Sequence, residues 1–82
     1  MPRLIDRPVT VSVSACGLPE CFSWRGRTYR VTRLLDLWRE TGRWWAGERP
    51  RFFYRVAAGE KGVFELYREE GAPAWYLYKA YD

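Results

Sequence analysis

Between Gly42 and Val56 the chain sets five aromatic rings (Trp44, Trp45, Phe52, Phe53, Tyr54) among four arginines (Arg43, Arg49, Arg51, Arg55). Planar rings stack on bases and guanidinium forks grip phosphate oxygens in pairs, so this mixture points to a nucleic-acid contact. Arg25 and Arg27, on either side of Gly26, extend the basic set. The same side chains also have a purely structural use. Rings fill the core of a short chain, and arginines cover a solvated or ion-paired strand face. If Trp44 and Trp45 lie in a strand they point to opposite faces, and only one of them is available to stack.

Reaction chemistry finds little to work with. The chain has no His, so the usual acid–base group near neutral pH is missing, and Ser12, Ser14 and Ser23 lack a His to activate them. Glu69 and Glu70 fall in a turn, where solvated carboxylates are the plain expectation. The glycines are scattered one per turn and form no phosphate loop. The reading is a protein that is not an enzyme and uses no cofactor. Two cysteines cannot complete a zinc site, which needs about four ligands. Cys16 and Cys21 would face each other across strand ends if Gly17–Glu20 is a hairpin loop, which leaves a disulfide and a pair of ordinary small residues as equal alternatives.

At 82 residues the chain is one domain, residues 1–82. A chain of this size buries only about 60% of its unfolded surface, so its fifteen rings stand in for missing length. The net charge of +4, with twelve Arg against two Lys, suits an anionic partner, although ten acidic residues are interspersed. Asn and Gln are absent as well as His, a composition that fits a thermophilic source or an Arg-favouring genome. No apolar run approaches the roughly 20 residues of a membrane span, and Met1–Asp6 shows no signal-peptide core, so a cytoplasmic protein without membrane contact is expected.

The elements that must carry these residues read as strands. Val9, Val11, Val13 and Ala15 alternate with Thr10, Ser12 and Ser14, the period of a half-buried strand. Arg25-Gly26 marks a tight turn before Arg27–Thr32, with Tyr29 and Val31 on one face. Residues 33–40 fit a short helix or a strand with a bulge, and the strand is favoured because Gly42 stops the segment early. Further strands follow at Arg51–Ala57, Val63–Arg68 and Ala74–Tyr81. Turn signals every 8–12 residues predict an all-β fold: a small antiparallel meander of five or six strands forming a strongly bent sheet or partly open barrel. Strict alternation groups Trp75, Leu77, Lys79 and Tyr81 against Tyr76, Tyr78 and Ala80. Both faces of the last strands then carry rings, whereas a single sheet buries one face. Either a second layer covers the other face or rings stand exposed beside Arg55 and Lys79.

The run Phe22-x-Trp24-Arg25-Gly26-Arg27-x-Tyr29-x-Val31, followed by Trp44-Trp45, Tyr54-Arg55-Val56, Phe64-Glu65-Leu66 and Trp75-x-Leu77, resembles a family of short uncharacterised bacterial β-domain proteins. More loosely, Gly42, Trp44, Trp45, Gly47, Arg51 and Tyr54 are similar to a block in the C-terminal tail of a Y-family DNA polymerase homologue. That homologue lacks polymerase catalytic residues and belongs to a bacterial mutagenesis cassette. The resemblance implies a non-catalytic module in DNA repair. It assigns no residue a role.

Two expectations follow. The first is binding of single-stranded DNA or RNA through Arg25, Arg27, Arg43, Trp44, Trp45, Arg49, Arg51 and Arg55. The second is docking to a polymerase-associated protein or to a second copy as a homodimer, because Trp, Tyr and Arg also dominate interface hot spots. The basic charge favours the first.

Overall fold

The computed structural model describes residues 2–42, 44–60 and 62–81. Six antiparallel strands run in chain order: β1 (Pro2–Val13), β2 (Pro19–Trp24), β3 (Arg27–Glu40), β4 (Arg51–Ala58), β5 (Gly62–Glu69) and β6 (Trp75–Tyr81). Each pairs with the next, and β1 returns to β6, so the meander closes into a barrel. The expected all-β meander is therefore present, and it closes fully. Residues 33–40 belong to β3 as strand, with register shifts between Val31 and Arg33 and between Leu34 and Asp36. Those extra residues bend the strand and explain why a period of two could not be read there.

Strand lengths are unequal. β2 pairs with β3 only from Cys21 to Trp24 against Arg27 to Arg30, while β3 continues along β4 as far as Glu40. β1 likewise pairs with β6 through its first half and with β2 through its second. The two long strands are the hinges about which the sheet folds back on itself. They leave a mouth at each end of the barrel.

Inside sit Phe22, Tyr54, Val56, Ala58, Phe64, Leu66, Trp75, Leu77 and Ala80, with Ile5, Val9, Val11, Leu18, Trp24, Tyr29, Val31 and Phe52 packed against them. The alternation in β4 follows the sequence pattern: Phe52, Tyr54 and Val56 inward, Phe53 and Arg55 outward. In β6 it does not. A register shift opposite Glu65 and Leu66 leaves Tyr78 as an extra residue between Leu77 and Lys79. Ala80 therefore joins Trp75 and Leu77 inside, and Tyr81 joins Tyr76 and Tyr78 outside, correcting the strict grouping.

Two points left open by the sequence are also decided here. Trp45 is not in a strand but in a single 3-10 turn, Trp44–Ala46, so strand alternation does not divide the Trp pair. Cys21 faces Ser12 across the β1–β2 ladder while Cys16 lies in the turn, and both are free thiols. The bulge between Ser12 and Val13 shifts the hairpin so that the cysteines are not opposed.

Candidate nucleic-acid interface

The outer face of β3–β6 carries the feature that alternation foreshadowed. No layer of described residues covers it, and its rings pack against each other. Phe53 is the hub: it stacks on Trp38 at 5.3 Å and meets Tyr67 at 5.2 Å and Tyr78 at 5.3 Å. Tyr67 in turn stacks on Tyr76 at 4.9 Å and takes Tyr78 edge-on at 5.7 Å. These follow from register, since Trp38, Phe53, Tyr67 and Tyr76 are directly opposite one another across three ladders. Phe53 and Tyr67 are only 2% and 5% exposed, so the centre is a second small core outside the barrel. Trp38, Tyr76 and Tyr78 on its rim are half-buried and keep ring surface in solvent.

Cations lie over these rings: Arg51 over Tyr67 at 5.1 Å, Arg55 over Trp38 at 5.4 Å and Tyr81 at 5.7 Å, and Lys79 over Tyr78 at 5.2 Å. Two of them already have carboxylates. Arg55 donates from Nε and Nη2 to Glu65 Oε2 at 3.1 and 3.0 Å, and the Tyr81 hydroxyl donates to the same oxygen at 2.5 Å. Glu65 is 2% exposed, so this is a satisfied carboxylate under the ring layer. Its hydrogen bond raises both the Arg55 and the Tyr81 pKa. Arg51 approaches Glu69 at 4.0 Å.

Asp6 completes the face from β1. It occupies the left-handed region (φ 49°) where β1 shifts register against β6. That bulge turns its carboxylate onto Tyr67, whose hydroxyl donates to Oδ1 at 2.7 Å. Burial, then this bond, holds the Tyr67 phenol well above its ordinary pKa. Nothing in the sequence marked Asp6 for this role.

Of the eight residues expected to bind, the structure brings Arg51 and Arg55 to this face. Arg25 and Arg27 lie at the β2–β3 hairpin, the opposite end of β3 from Glu40 and the Gly42–Val56 block. Trp45 is 71% exposed in its turn. Arg49 reaches over the β5–β6 turn, its Nη1 3.6 Å from where a Gly71 side chain would begin. Arg43, and the side chain of Trp44, lie outside the described residues. Outside the expected set, the face gathers Trp38, Tyr67, Tyr76 and Tyr78, with Lys79 beside exposed rings as alternation allowed; they are spread over three strands and joined by register.

At one mouth, a groove of about 460 Å³ is lined by Leu18, Leu37, Arg39, Phe52, Tyr54 and Arg68 among others. Arg39 and Arg68 lie over Phe52 at 5.9 and 5.4 Å. Among the described residues no cluster of three or more His, Cys, Asp or Glu could hold a metal ion. None of the described helices is long and apolar enough to cross a membrane.

Fold and face together define a small closed antiparallel barrel with an aromatic outer surface. The chain belongs to the family described as Domain of unknown function (DUF6504), whose model matches residues 1–82. It is also 32% identical over 94 aligned residues to Protein ImuB from two strains of Caulobacter vibrioides, covering 93% of this chain and 20% of ImuB. The chain thus spans about a fifth of the length of the curated relatives it matches. No solved structure matches it significantly.

Proposed function

We propose that this domain is a non-catalytic module that binds single-stranded nucleic acid on the outer face of β3–β6, in a cytoplasmic DNA-repair setting. The observation that carries the reading is the ring sheet itself. Trp38, Tyr76 and Tyr78 present partly exposed rings around a rigid Phe53–Tyr67 centre. A flat face of fixed rings is what unpaired bases stack on, with little dependence on sequence. The similarity to ImuB supports the setting, because the polymerase homologue whose tail this sequence resembles belongs to a mutagenesis cassette.

The ion pairs of Arg51 and Arg55 adjust the electrostatics of this reading. Guanidiniums already facing carboxylates release few counterions, so stacking rather than phosphate neutralisation supplies the affinity. In a fluorescence titration with a single-stranded oligonucleotide, Tyr76→Ala and Tyr78→Ala should each weaken binding roughly five- to 150-fold, the range of one lost stacking contact. The salt dependence should be shallow, with a slope near that of one or two phosphates. Absence of binding at low salt removes this function.

One observation favours protein docking instead. From Arg33 to Glu40, β3 has β4 on one side and no described strand on the other, and it exposes Leu34, Leu35 and Leu37. A partner strand, from a polymerase-associated protein or a second copy, would extend the sheet there. Sedimentation of a dimer that Leu35→Lys disperses, together with no oligonucleotide binding, would select that alternative.

A further inference from the structure

The second mouth of the barrel, between the first half of β1 and the β2–β3 hairpin, holds a separate feature. Residues directly opposite in an antiparallel ladder share a face. Arg3 is opposite buried Ala80 and Arg7 opposite buried Leu77, so both arginines start from the inner side of β1. There β1 has run past the end of the hairpin, and both arginines stay exposed. They and Arg25 instead line a cavity of about 200 Å³ with Trp24 and Ile5. No carboxylate lines it, and none of the three guanidiniums belongs to an ion pair with a described residue, unlike Arg39, Arg51 and Arg55.

Arg25 is placed there at a conformational cost. Arg25 and Gly26 form a two-residue hairpin loop closed by the Trp24–Arg27 pair, and both have positive φ, 51° and 75°. The first position of such a turn favours Asn, Asp or Gly, because other side chains are strained in the left-handed region. The arginine gains a cation–ring contact, its guanidinium carbon 5.4 Å from the centre of the Trp24 ring. That contact holds its fork at the cavity rim.

We propose that this mouth binds a terminal phosphate group, a phosphomonoester carried on a nucleotide, with Arg3, Arg7 and Arg25 as its ligands and Trp24 as the support for Arg25. Three unpaired cations suit a phosphomonoester, which carries a charge of about −1.5 to −2 at neutral pH, better than a singly charged bridging phosphodiester. The guanidinium fork matches phosphate geometry, and charged hydrogen bonds are the strong ones. The cavity has ample room for a phosphate group, and it is smaller than the roughly 300–1,000 Å³ of sites that enclose a whole small molecule. Two sources share this chemistry: a free 5′-mononucleotide and the 5′ end of a strand. The phosphate site stands on observations separate from the ring face, while the nucleotide as its carrier rests on the proposed nucleic-acid function.

The test follows the indole N–H signal of Trp24 in NMR spectra of the full chain, with 5′-AMP, adenosine, and one oligonucleotide carrying either a 5′-phosphate or a 5′-hydroxyl. A saturable shift with the phosphorylated probes, absent with adenosine and the 5′-hydroxyl strand, is expected. A response to 5′-AMP identifies the free nucleotide as sufficient, and a response to the phosphorylated strand alone identifies a strand end. Arg3→Ala and Arg25→Asn should each weaken binding about tenfold or more. Arg25→Asn should melt no lower than the parent, because Asn suits the turn, so lost binding cannot be lost folding. A Trp24 signal unmoved by both phosphorylated probes, an equal response to adenosine, or full affinity in Arg25→Asn would overturn the proposal. Tyr76→Ala should leave the 5′-AMP response intact, which separates this site from the ring face.

Discussion

Arg55 shows most directly how the structure changes what a residue is expected to do. As an arginine among rings it reads as a phosphate ligand, yet two of its donors are committed to Glu65 Oε2. Replacing it, as in Arg55→Met, leaves the Glu65 carboxylate 2% exposed with only the Tyr81 hydroxyl bond among those described. Hydrogen bonds to charged groups contribute about 1.5–3 kcal/mol each, and an uncompensated buried charge adds to their loss. Arg55 itself is 39% exposed, so water enters the gap and softens the effect. A cost of about 2–3 kcal/mol results, or a fall in Tm on the order of 10–20 °C for a domain of this size. Glu65→Met should cost much less, because it removes the buried charge and leaves Arg55 and Tyr81 to solvent. Urea unfolding of both single variants and the double variant, followed by Trp fluorescence, measures the asymmetry. If Glu65→Met proved costlier than Arg55→Met, or Arg55→Met cost under about 0.5 kcal/mol, the argument from the buried carboxylate would be refuted.

Three other outcomes are expected. Gly62→Ala would set a methyl 2.5 Å from Phe64 Cε1 and 3.0 Å from the Ala58 carbonyl, and should lower stability by about 1–3 kcal/mol in the same denaturation assay. Tyr67 and Tyr81, whose phenols are raised in the folded state, should ionise last in an ultraviolet alkaline titration. The stability they supply is fully present below the unfolded phenol value of about 10, and is lost as pH rises above it towards their raised folded values. Asp6→Ala removes the acceptor of the Tyr67 hydroxyl and keeps a left-handed backbone. It should cost about 1–3 kcal/mol, with Tyr67 ionising at lower pH than in the parent.

Much of the fold was legible because the chain is a meander: each strand announces itself by composition and each turn by Gly. The division of Phe52, Phe53 and Tyr54 between core and outer face was legible for the same reason, since β4 runs without a bulge. What was hidden lies where one extra residue breaks the alternation. Tyr78 changed the sides of Ala80 and Tyr81, and Asp6 left the ladder to reach Tyr67. Unlike the bulge read at residues 33–40, these two left no break in the local pattern, because their partners are distant in sequence. The ring face was hidden more deeply. Its members sit at Trp38, Phe53, Tyr67, Tyr76 and Tyr78, and only the pairing of four strands shows that they touch. The dense block at residues 42–56 drew attention by proximity along the chain, which a turn at Trp44–Ala46 and the buried side of β4 then dispersed.

The ladder that closes the barrel joins Pro2 to Tyr81, while every other ladder joins strands adjacent in sequence. Hairpins between neighbours need only short loops and form on a microsecond scale. The β1–β6 seam must bring together segments some seventy residues apart, so its loop-closure cost is the largest of any single ladder. Assembly of this domain is therefore timed by one seam: a preformed ribbon of hairpins waits for its two ends to meet.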